Sequence, residues 1–179
     1  MAHRTGMLWL LSLWLGSCTL LPPTPALPTP VRPPDITSAA EALQAAVEGD
    51  YPLDALTIRY QVGSEAWEGS TTLVVHGRGA AEVAFNQTGQ HQGWQAQLSE
   101  EEVLALVRLL VDHELWAIRG RRDTGLPDEA LPTVTVEAEG FEPLRITLWA
   151  NEAAEHPDFS AIIQVLHGLA RQISGGGAK

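Results

Sequence analysis

Apolar and polar residues alternate with a period of two along much of the chain, interrupted by three blocks of helical period. In "LTIRYQV", Leu56, Ile58, Tyr60 and Val62 alternate with Thr57, Arg59 and Gln61, which predicts a half-buried strand. "TTLVVHG" and "AAEVAFN" predict two more, joined by a hairpin turn at Gly77-Arg78-Gly79. "GWQAQL" predicts a fourth, with Trp94, Ala96 and Leu98 on one face. Further on, "TVTVEAEG" and "FEPLRITLWA" alternate around a turn near Gly140. A regular strand through the second of these puts Trp149 on the face opposite Leu144, Ile146 and Leu148.

The helical blocks carry their own punctuation. Ser38 and Glu41 have capping-box spacing, Ile36 precedes them as a candidate staple, and the helix they open stops near Gly49. Ser99 and Glu102 form a second capping box, and Glu100, Glu101 and Glu102 complement the positive end of the helix dipole. The helix then runs through "VLALVRLLVDHEL", with Val103, Leu106, Val107 and Leu110 as its core stripe, widened by Leu104 and Val111. Pro157 opens the last helix, where Ile162, Leu166, Leu169 and Ile173 recur at helical spacing. The segment 119–132 is rich in charge and helix breakers and predicts a loop, and the tail 176–179 frays. The order is helix, four strands, helix, two strands, helix. That predicts a single α+β domain over 36–175, a mostly antiparallel sheet with helices packed on one face in two layers.

The first eighteen residues follow a different rule. "MLWLLSLWL", Met7 to Leu15, is an apolar run broken only by Ser12. It is much shorter than the roughly 20 residues of a membrane-spanning helix and has the length of a secretory core segment. Leu15-Gly16-Ser17-Cys18 then resembles the lipobox of bacterial lipoproteins, an aliphatic residue and two small ones before cysteine. The resemblance implies that 1–17 is a signal peptide cut between Ser17 and Cys18. It also implies that the Cys18 thiol carries diacylglycerol and that its new amine is acylated. Three acyl chains exceed the two signals that stable anchoring takes, at about 0.8 kcal/mol per buried methylene. Cys18 is the only cysteine, so it has no internal disulfide partner. Thr19 stands where enteric lipoproteins kept in the inner membrane carry aspartate, which points to the outer membrane, facing the periplasm. The next stretch, 18–35, holds seven of the chain's twelve prolines. Proline fixes φ and removes a donor, so an extended spacer of roughly 50 Å is expected rather than a helix or strand.

Charge narrows the partners. The formal net charge is −11, and Arg4 is the only Lys, Arg, Asp or Glu before Cys18, so the remainder is more acidic still. Such a surface repels phosphate backbones and anionic headgroups, which argues against nucleic acid and leaves acyl chains on Cys18 as the route to a membrane.

Catalytic signatures are weak. Asp123-Thr124-Gly125 matches the aspartic-protease triplet, but it follows Arg121 and Arg122 in a breaker-rich loop instead of an apolar strand, so a turn is the better assignment. His76, His91, His113, His156 and His167 are scattered, with no pair at the helical spacing of a zinc helix. His113-Glu114 and His156-x-Asp158 would contribute metal ligands only if the fold brought the two pairs together. No Gly-x-Ser-x-Gly, phosphate loop or dinucleotide fingerprint is present. No catalytic residue, cofactor or metal is therefore expected. Tryptophans are the remaining lead: Trp67, Trp94 and Trp149 are candidate binding residues, able to anchor a protein partner or stack on sugars if exposed. The expected function is a non-catalytic binding module for an envelope or secreted protein, with a glycan-facing accessory protein as the alternative.

The layout from Leu56 to Ile173 is similar to that of the emfourin family of small bacterial protease inhibitors. A strand hairpin leads into "LSEEEVLALVRLLVDHELWAI", followed by "TVTVEAEG", "LRITLW" and a closing helix. The sequence departs from that family in lacking its Gly-Gly-aromatic start, to which "VGSEAWEG", Val62 to Gly69, is the nearest match. The resemblance implies protease inhibition and transfers no individual functional residue.

Overall fold

The computed structural model describes residues 36–64, 69–87, 89–120 and 130–175. The expected signal peptide and tether, Cys18, Trp67, the Asp123 triplet and the tail 176–179 all lie outside the described residues.

Helix α1 (Ala39–Glu48) leads into a meander of four strands, β1 (Leu56–Ser64), β2 (Gly69–His76), β3 (Ala80–Gln87) and β4 (Gln90–Gln97). Helix α2 (Glu100–Asp112) follows, then β5 (Thr133–Ala138), β6 (Leu144–Thr147), α3 (Ala150–Glu155) and α4 (Pro157–Ile173). Every strand pairing is antiparallel, and the six strands form one sheet in the order β4-β3-β2-β1-β5-β6. The fold is α+β, with β1 at the junction between the meander and the β5–β6 hairpin.

Register explains which face is buried. Tyr60 stands between Leu73 on β2 and Val134 on β5, and the same row continues to Val83 and Trp94 on one side and Ile146 on the other. Because successive side chains point to opposite faces, one register puts a whole apolar row on one side. Ile58, Val75, Ala81 and Val136 fill the next row. These residues join one core cluster with Ala42 and Leu43 of α1, Val103, Leu106, Val107 and Leu110 of α2, and Phe159, Ile162 and Leu166 of α4. The other face carries Thr57, Arg59, Gln61, Thr72, Glu82, Glu137 and Arg145, all at least partly exposed. Arg59 and Glu137 approach to 3.9 Å there.

Local chemistry sets the element ends. The Ser99–Glu102 capping box forms in full: Ser99 Oγ accepts the Glu102 N–H at 3.2 Å and Glu102 Oε2 accepts the Ser99 N–H at 2.7 Å. At α1 only half of the expected box forms. Ser38 Oγ accepts the Glu41 N–H at 3.2 Å, but the Glu41 carboxylate bonds the N–H and hydroxyl of Thr37 instead. Helix α2 ends at Asp112, short of the expected run to Leu115, because Glu114 takes a left-handed φ of 42° and a 3-10 turn over Leu115–Ala117 follows. β6 stops at Thr147, and α3, absent from the sequence reading, begins directly after it.

Candidate functional site

The β4 edge is the most distinctive surface among the described residues. β4 pairs with β3 over Ala80–Gln87 without a break, and among the described residues no strand lies on its other side. The Leu98 N–H donates to the Gly79 carbonyl at 2.8 Å. That bond sets the phase of the antiparallel ladder, in which doubly bonded pairs alternate with unbonded ones. Gln90, Gln92, Trp94 and Ala96 therefore spend their backbone groups on β3. His91, Gly93, Gln95 and Gln97 turn theirs outward.

Natural sheets guard such an edge with lysine, proline, a bulge or a short strand. β4 has none of these: its eight residues, "QHQGWQAQ", contain no Lys, Arg, Asp, Glu or Pro. The opposite edge, β6, is four residues long and carries Arg145. Along β4 only Trp94 and Ala96 are half-buried and the rest is exposed. Trp94 packs on the margin of the core opposite Val83. On the outer face Asn86 Oδ1 meets His91 Nδ1 at 2.5 Å and Gln95 Nε2 donates to Glu82 at 3.5 Å, so polar side chains brace the β3–β4 pair.

The other tryptophans fall elsewhere. Trp149 is not on a strand face, as a regular β6 would have it; it lies past the strand as the residue capping α3, and its N–H donates to Glu152 Oε2 at 3.3 Å. Trp116, in the 3-10 turn, gives its carbonyl to Arg119 Nη1 at 2.6 Å. Both are half-buried. The close ring pairs among the described residues are Tyr51–Phe141 and Tyr60–His167, with centroids 6.2 Å and 6.4 Å apart.

A second feature was not legible as a site in the sequence. Arg119, Gly120, Leu148, Glu152, Glu155, His156 and Pro157 line a cleft of about 120 Å³. Gly120 makes it possible, since a Cβ there would come within 2.7 Å of Leu148 Cδ2. The charged groups have structural work. Arg119 Nη1 also bonds the Ile118 carbonyl at 2.8 Å, Glu152 caps α3, and His156 Nδ1 accepts the Phe159 N–H at 3.4 Å to start α4. With Nδ1 accepting, a neutral His156 carries its proton on Nε2. The volume is below the roughly 300–1,000 Å³ of common ligand pockets. The only signal for this cleft was the helical spacing of Glu152, Glu155 and His156, in the short stretch between the expected strand and Pro157.

The fold brings the two histidine pairs into contact at one point. Asp158 Oδ1 binds His113 Nδ1 at 2.9 Å, tying the end of α2 to the start of α4, while His156 caps its own helix. Among the described residues no group of three or more His, Cys, Asp or Glu is placed to hold a metal ion. Buried Tyr60 has its hydroxyl pKa pushed up to about 12 by desolvation. No protein-family model matches the chain, and no curated protein matches it.

Proposed function

We propose that this chain is a non-catalytic protein-binding module, held in the bacterial cell envelope by acyl chains on Cys18 and facing the periplasm from the outer membrane. Support for the anchor is the order Leu15-Gly16-Ser17-Cys18 after an apolar run. No described helix is long and apolar enough to cross a membrane. The observation that carries the binding role is the unguarded β4 edge, where four residues offer outward N–H and C=O groups beside the half-buried Trp94. Strand addition at such an edge draws affinity from main-chain hydrogen bonds and specificity from alternate side chains. The partner class is a protein of the envelope, or one secreted through it, that presents an extended strand. The emfourin-like layout adds protease inhibition as one form of this role. Sugar stacking is less well supported, because none of the described tryptophans is fully exposed.

Two measurements test the proposal. An alkyne fatty acid should label the wild-type chain and not Cys18→Ala; equal labelling would refute the anchor. Amide hydrogen exchange should be fast at His91, Gly93, Gln95 and Gln97 in the dilute purified chain and slow in native envelope vesicles. Equal, fast exchange in both settings would refute docking at β4.

A further inference from the structure

We infer that the strand docking on β4 is β4 of a second copy of this chain, paired antiparallel about Trp94 so that two six-stranded sheets join into one. This pairing rests on the docking role proposed above for the edge. Residues directly opposite each other in an antiparallel pair point to the same face. A two-fold axis between identical strands must then fall on a residue, not between residues. With the axis on Trp94, His91 meets Gln97 of the second copy, Gly93 meets its Gln95, and the reverse pairs follow by symmetry. All four outward residues then face outward residues, which closes eight backbone hydrogen bonds by the ladder rule. Moving the axis to Gly93 or Gln95 strands one outward residue beyond the partner's β4.

The side chains fit this register. Trp94 faces Trp94 at an unbonded position, where Cα atoms come within about 4.5 Å and aromatic pairs stabilise a sheet. On that same face Gln92 lies opposite Ala96, long against short. On the solvent face Gln95 lies opposite Gly93, the one position of β4 with no side chain. Each chain carries −11, yet the ladder brings no two charged side chains together, because β4 has none. A neutral, glutamine-rich edge complements itself better than it complements a charged strand. β6 does not compete, being half as long as β4 and bearing Arg145, so the assembly closes as a two-fold dimer and does not grow into a fibre.

The test uses the full chain in detergent under mild oxidation. Gln92→Cys/Ala96→Cys should form a disulfide-linked dimer, while either single variant and the wild type should not. Residue 92 meets residue 96 of the other copy only in this register. Sedimentation should show wild-type self-association that Gly93→Pro weakens by at least about tenfold, since two outward donors per dimer are lost and the β3–β4 bonds are kept. Cross-linking by the single variants would overturn the register. A monomeric wild type, or a double variant that folds and does not cross-link, would overturn the second copy as occupant. If β4 amides are nonetheless protected in the envelope, docking at the edge stands with a different protein; if they are not, both proposals fall.

Discussion

His167 and Tyr60 meet edge-on, ring centroids 6.4 Å apart, on the seam between α4 and the sheet. Desolvation first, and the Arg171 charge second, hold the His167 pKa below its ordinary 6.5. A folded-state pKa below the unfolded one means that the unfolded chain binds the extra proton more readily. The associated stability is therefore complete above about pH 6.5 and is lost as pH falls from there toward the folded value. Urea midpoints measured at about pH 7.5 and about pH 5.5 should drop for the wild type and converge for His167→Phe. Glu41 and Glu102, lowered by their backbone and hydroxyl hydrogen bonds, act in a separate window below their ordinary 4.5. Single residues were legible in the sequence where their partners are local. Ser99 and Glu102 find each other three residues apart, as their spacing predicts. Glu41 defects to Thr37 because a second donor pair lies on the same short segment, and spacing alone does not rank the two.

At the scale of elements, the Gly77–Gly79 turn shows how far spacing reaches. A hairpin there was expected and forms, but the two glycines serve different needs. Gly79 takes a φ of 90°, which a side chain resists. A Cβ on Gly77 would run into the Leu53 carbonyl, in the 3-10 turn that precedes β1. Gly77→Ala should therefore cost more than about 2 kcal/mol in chemical denaturation, through backbone overpacking, and a neutral result would show that this approach is not tight. Nothing near Gly77 in sequence announces that clash. The loss of α3 from the sequence reading has a similar cause. Leu144, Ile146 and Leu148 alternate up to the helix, and a six-residue helix is too short to impose its own period. That alternation, carried one residue too far, places Trp149 on a strand face, whereas it caps α3.

At the scale of the molecule, the fold depends on a row of side chains contributed by all six strands that shares one core cluster with α1, α2 and α4. Phe159 of α4 is wholly buried in that cluster. Phe159→Ala should cost about 3–5 kcal/mol, read as a lower urea midpoint with an unchanged slope.

Periodicity, caps and breakers by themselves determined the six strands, the three longer helices, the α+β class and the residues of the α2 core stripe. Those features arise from contacts within a few residues, or from a face that must be apolar along its whole length. Strand order, the exposed flank of β4, the position of Trp149 and the Arg119–His156 cleft were decided only by the tertiary structure. Each depends on which distant segment lies alongside, and an edge is defined by a neighbour that is absent, which no local pattern of side chains records.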